Sequence, residues 1–231
     1  MAITAQEAWT NRAETRNLTV PQFVREVIES IAFEARQEKK VDKRSGVSQR
    51  MPISCLENAV SNAEQRALRN HEPHVALRLV DVYAALPSIT GKFELEYEGE
   101  LKGADNVARE IIRQATARVF KKYFDGVPMQ SVVQWFELGG TLKYPENAPV
   151  EEVHRRLKGI HGLVEKAEAL GVKRGDDAAL RVAGAEFVLE GLYALKKISR
   201  NEELGFFAER RPPEPPPEEP SPAPPRRRNL N

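Results

Sequence analysis

The chain is predicted to be all-α: a helical bundle followed by a second helical domain and a disordered proline-rich tail. Three observations predict this. Apolar residues recur at helical spacing in most long segments. Alternation with period two is confined to one short stretch, Phe93 to Glu98. From Arg210 to Asn231 the composition shifts: nine of the sixteen prolines lie there, with Glu and Arg and almost no apolar side chains. Such a segment buries too little surface to offset the entropy of ordering.

The elements follow in order. Thr4-Ala5-Gln6-Glu7 fits a capping box, and a short helix through about Asn11 should follow. Phe23, Val24, Val27, Ile28, Ile31 and Ala32 predict a helix from about Thr19 to Glu38, ending in the charged stretch Lys39–Arg44. Ser45-Gly46-Val47-Ser48 is a loop signal. A third helix covers about 49–70, with Ile53, Leu56, Val60, Ala63 and Ala67 on one face. Ser48 is its expected N-cap, and Pro52 falls in the first turn, where proline is tolerated. A shorter helix spans 76–86 and is ended by Pro87. Phe93–Glu98 is strand-like or an extended connector, since one short strand cannot stand alone.

Val107, Ile111, Ala115, Val119 and Tyr123 predict a helix over 104–124. Residues 128–137 form another, stopped by Gly139-Gly140. Helices over about 149–170 and 177–198 complete the series, with Gly171 as a C-terminal glycine cap. The composition shift between Gly91 and Gly103 places the domains at 1–91, 104–209 and 210–231.

Hydrophobic residues are 41% and charged residues 30%, a globular balance. Net charge is +1, so no bulk attraction to nucleic acid or anionic membrane is implied. No apolar run reaches membrane-spanning length, so no membrane partner is expected. The N-terminus lacks a secretory pattern, and Cys55 is the only cysteine. Together these favour the cytoplasm.

The phosphate-loop pattern GxxxxGK[ST] is absent; Gly91-Lys92 is followed by Phe93 and preceded by Leu86 where a glycine is needed. Leu79-Val80-Asp81 has the form of an apolar strand ending in an acid, but its surroundings are helical. His71 and His74 read as a polar loop, and His154 and His161 as an exposed pair two turns apart. No metal site is expected. Cys55 reads as core packing. Glu94, Glu96, Glu98 and Glu100 would share a strand face, as a solvated face or as a binder of cations or basic partners. Arg50, in the first turn of the helix that the small-residue loop leads into, reads on physical grounds alone as either a surface arginine or a ligand contact.

SGVSQRMPISCLENAVSNAEQRAL (45–68) and VDVYAALPSITGKFELEYEGELKG (80–103) resemble the C-terminal part of MoxR / magnesium-chelatase-like AAA+ ATPases, some labelled sigma-54-interacting regulators. ITAQEAW resembles the segment after the ATPase core, Leu79–Tyr83 a later lid helix, and EFVLEGLYALKKISR (186–200) the family's far C-terminus. The resemblance implies an AAA+ helical lid over 1–91 and an extra helical domain over 104–209. It implies that Arg50 is the second sensor, a catalytic and nucleotide-binding residue that reaches the γ-phosphate.

The family's phosphate loop, metal-binding acid motif and first sensor fall before position 1. The resemblance therefore implies a truncated product, a split subunit or an excised piece, with no autonomous ATP hydrolysis. ATP and Mg2+ are implied as cofactors only together with that core. The implied partners are the core or neighbouring subunits of a ring, and a protein client. The alternative is a nucleotide-independent helical interaction module. A helix-turn-helix regulator is disfavoured, because no basic recognition helix is present.

Overall fold

The computed structural model describes residues 7–8, 17–201 and 203–209. The predicted capping box at 4–7 lies almost wholly, and the proline-rich tail wholly, outside them. The described fold is mainly helical. Strand β1 (Asn17–Thr19) leads into helix α1 (Gln22–Gln37), and α2 follows (Met51–Asn70). Strand β2 (His74–Ala76) pairs in parallel with β1. Helices α3 (Leu79–Ala84), α4 (Leu86–Thr90) and α5 (Tyr97–Lys102) are short; α6 (Ala104–Phe124) is the longest. Then come α7 (Gln130–Glu137), α8 (Val150–Lys158), α9 (Leu163–Lys166) with a 3-10 turn at Ala167–Leu170, and α10 (Ala178–Ala194). Strands β3 (Ile198–Asn201) and β4 (Gly205–Ala208) form an antiparallel hairpin.

Helix α10 is the centre of the fold. It carries Val182, Phe187, Val188, Leu189 and Leu192 all round its circumference, and such a helix must be buried. Asp177 starts it by accepting a hydrogen bond from Ala179 N–H at 2.7 Å. Helix α6 packs against both α1 and α10. Phe23 of α1 lies 5.0 Å, ring to ring, from Phe187 of α10, and Phe120 of α6 is 6.3 Å from the same ring. The helices on either side of 91–103 thus contribute to one continuous hydrophobic core. The 91–103 segment itself is covered in part by α5.

Local chemistry explains three departures from expectation. The single helix expected at 76–86 is instead a strand end, α3 and α4. Arg78 is extended (φ −114°, ψ 163°), and Asp81 accepts its backbone N–H at 2.9 Å, so α3 begins only at Leu79. Pro87 has no N–H to continue α3, and it sits in the first turn of α4. The helix expected over 149–170 is interrupted at Gly159–Gly162, where Gly162 takes φ +79°. Gly171 closes the last turn at φ +82°, as expected. The helix expected to reach 198 stops at Ala194, and β3 and β4 follow it.

The strand-like 93–98 is an extended connector into α5: Phe93 and Leu95 bridge to Val47 and Val41. Glu98 and Glu100 therefore lie on a helix, and the expected one-face acidic row is not formed.

Candidate functional site

Arg50 stands immediately before α2, at its N-cap position (φ −81°, ψ −3°). Its backbone N–H donates to Ser48 Oγ at 3.3 Å, and Met51 N–H donates to the Ser48 carbonyl at 3.1 Å. The loop ahead of it is laced to the 92–96 connector. Ser48 N–H donates to Lys92 O at 3.0 Å, Asp42 N–H to Glu94 O at 2.9 Å, and Glu96 N–H to Lys40 O at 2.9 Å. Gly46 turns at φ +73°, which glycine adopts without the Cβ penalty. The loop is thus held on both sides while the Arg50 side chain is exposed. Its guanidinium has no hydrogen bond or ion pair among the described residues. Arg44 is exposed as well, and its charge helps hold Asp42 below the usual carboxylate range, after the hydrogen bond from Arg44 N–H.

Asp81 is fully buried and structural: it accepts from Arg66 Nη2 at 3.0 Å and Asn62 Nδ2 at 2.9 Å, besides Arg78 N–H. Cys55 is buried in the core, and burial pushes its thiol up to about 12. His71 ends α2 in a left-handed conformation, and His74 lies exposed in β2. Among the described residues no three His, Cys, Asp or Glu side chains are placed to hold a metal ion. The expected exposed pair His154 and His161 is corrected. His154 is buried on the inner face of α8, whereas His161 is exposed beyond its end. Burial, then the charges of Arg181 and Lys158, hold His154 below the usual histidine range.

A concave site lies elsewhere, built from segments in which sequence reasoning placed no binding residue. A cleft of about 810 Å³ opens between α3, α6, α10, the β3–β4 hairpin and the 142–146 segment. Two buried glutamates one turn apart on α10, Glu186 and Glu190, form its floor. Glu186 accepts from Arg78 Nε and Nη2 and from Tyr144 OH, the last at 2.7 Å. Arg78 is 1% exposed, and its remaining Nη1 has no hydrogen-bond partner. Glu190 pairs with Arg200, whose guanidinium also lies 5.2 Å from the Phe206 ring and 5.9 Å from the Tyr83 ring. The one signal available beforehand was two acids, i and i+4, inside a largely apolar helix.

The electrostatics of the two pairs differ. Burial alone would lower the Arg78 pKa, but the Glu186 carboxylate beside it raises it further, so Arg78 stays charged. Glu190 is pushed up to about 7, first by burial and then by Glu186 and Glu146, against the opposing pull of Arg200. Burial, then the Glu190 charge, raises the Tyr83 hydroxyl well above its ordinary value. Tyr144 is raised by burial and by Glu186. Both tyrosines therefore remain neutral hydrogen-bonding groups near neutral pH.

Compared with known proteins, the chain matches no family model, no curated protein and no solved structure.

Proposed function

We propose that this chain is the helical lid and C-terminal helical portion of a MoxR / magnesium-chelatase-type AAA+ ATPase, with Arg50 as the second sensor. The resemblance of residues 45–68 and 80–103 motivates the reading. One observation carries it: Arg50 is an exposed, unpaired guanidinium at the junction of a pinned loop and the long helix α2. A group so placed moves with α2 as a rigid unit. Lid movement would carry it toward or away from a phosphate on the ATPase core, supplied in the same polypeptide or by another. Arginine suits the task because it stays charged and bonds phosphate through two parallel N–H groups.

ATP and Mg2+ belong to the assembled machine in this reading, and the partners are the core, the neighbouring ring subunits and a protein client. Charge on the transferred phosphoryl group grows in the transition state, so Arg50 should raise turnover more than affinity. Phosphate release by the chain combined with its core tests this, with Arg50→Ala beside Arg44→Ala. A loss on the order of 100-fold in Arg50→Ala alone is expected. Unchanged turnover in Arg50→Ala overturns the assignment, and a loss only in Arg44→Ala moves the role there. The chain alone should release phosphate at the buffer rate.

A nucleotide-independent interaction module is the second reading. It is favoured by Tyr97 and Leu101, 73% and 72% exposed on one face of α5. Partner binding that is insensitive to nucleotide and to Arg50→Ala would favour it.

A further inference from the structure

We propose that the cleft between α3, α6, α10 and the β3–β4 hairpin binds a small organic anion, with an oxyanion head held by arginine and an apolar body against its aromatic wall. The site is separate from Arg50, and the proposal does not rest on the ATPase reading.

A volume of about 810 Å³ is within the range of small-molecule sites. Leu79, Leu142, Tyr83, Tyr193 and Phe206 give it an apolar, aromatic wall. Charge decides the ligand's sign. Arg78, Lys102, Arg109, Arg113, Lys143 and Arg200 line the cleft, against the carboxylates Glu110, Glu146, Glu186 and Glu190. Each acid already has a cationic partner, Glu146 through a 3.8 Å contact with Arg200. Glu186 holds Arg78 and Tyr144, and Glu190 holds Arg200. Glu110 serves Lys40, Lys102 and Arg113 together.

Cationic capacity remains. Arg109 has no ion pair among the described residues, and its guanidinium faces the Tyr83 ring at 6.0 Å. Lys143 Nζ donates only to the Glu203 carbonyl, at 2.9 Å. Arg78 lines the cleft, and its Nη1 is a buried donor without an acceptor. A buried unmet donor of a charged group is costly, and an oxyanion supplies the missing acceptor.

The floor also links binding to protons. Acting on Glu190 are Arg200 from β3, Glu186 from α10, Tyr83 from α3, and Tyr144 and Glu146 from the 142–146 segment; Tyr193 of α10 and Arg113 of α6 act on Tyr83. Once Glu190 takes a proton, Arg200 keeps only its longer contact with the exposed Glu146, at 3.8 Å, and can bond an incoming anion. Affinity therefore rises as pH falls through neutrality.

The test is an NMR titration of the full chain with benzenesulfonate, inorganic sulfate and benzyl alcohol. The sulfonate charge is constant across the pH range, so any pH dependence belongs to the protein. Benzenesulfonate should bind saturably and shift the amides of α3, α10 and the hairpin that border the cleft. Sulfate should bind more weakly and benzyl alcohol not at all. Arg109→Ala, an exposed position that should leave folding intact, should weaken benzenesulfonate on the order of fivefold, the scale of one partly screened charge pair. Binding should be tighter at about pH 6 than at about pH 8, and Glu190→Gln should flatten the difference. Phenyl phosphate and benzoate, run in parallel, distinguish a phosphate head from a carboxylate head. Equal binding of benzyl alcohol, shifts confined to other surfaces, or affinity unchanged in both Arg109→Ala and Lys143→Ala would overturn the proposal. Sulfate binding as tightly as benzenesulfonate would overturn the role of the apolar wall. The wild-type pH profile keeps the proton linkage testable even if Glu190→Gln fails to fold.

Discussion

Arg78 and Glu186 stand 108 positions apart in the chain, yet two guanidinium N–H groups of the first bond the carboxylate of the second inside the molecule. Their side chains are 1% and 8% exposed, so this is a buried ion pair joining the start of α3 to the middle of α10. Removing one partner leaves an uncompensated buried charge, whereas removing both does not. Glu186→Leu should therefore cost about 3–5 kcal/mol in urea unfolding, and Arg78→Met with Glu186→Leu distinctly less. Additive losses in the double-mutant cycle would show that the pair is not coupled.

Stability should fall on both sides of a mildly acidic optimum. Glu190 is held at about 7 against an ordinary 4.5. The native state thus keeps a proton that the unfolded chain has lost between those values, and stability declines as pH rises through that window. The fall should be on the order of 3 kcal/mol. Glu26, Glu38 and Glu110 are lowered instead, so their contribution is present above the unfolded value and is lost on acidification. For Glu26 and Glu38 burial opposes the shift and hydrogen bonds outweigh it; for Glu110 the bond from Lys102 leads. Denaturant midpoints across pH should show the decline between about 4.5 and 7 vanish in Glu190→Gln while the acid limb persists.

Gly191 is a packing requirement. A Cβ there would lie 1.9 Å from Cδ2 of the Phe120 ring, with α6 pressed against α10 at that point. Gly191→Ala should destabilise by about 1–3 kcal/mol, the usual range for overpacking. Gly175 has open space around its Cβ position, so Gly175→Ala should stabilise by about 0.4–1 kcal/mol through the unfolded state. A thermal midpoint unchanged in Gly191→Ala would mean that the two helices separate easily.

Arg50→Ala should leave stability within about 0.5 kcal/mol of the parent, because the side chain is exposed and unpaired. Together with a loss of turnover in the assembled ATPase, that result separates a ligand contact from a structural arginine. A loss of several degrees in the melting temperature would give Arg50 a structural role.

By itself the sequence determined the helical character and most helix positions. The apolar faces of α1, α2 and α6 repeat every three or four residues, and that period is a local property. The helix expected over 104–124 is the one observed, Ala104–Phe124. Gly171 and Cys55 were legible for the same reason: a cap and a core position follow from near neighbours. Where local signals were weak, tertiary contact decided. The break of 76–86 into β2, α3 and α4 depends on Asp81 being held by Arg66 and Asn62 from α2. His154 is buried because the fold covers the inner face of α8, which its spacing from His161 could not reveal. The cleft was the least legible feature. Its groups come from 78–113, 142–146 and 186–206, and only the docking of α3, α6 and the hairpin onto α10 brings them together. Charge pairs formed across such distances in sequence leave no period to read, so burial and partnership turn ordinary surface-type residues into a site.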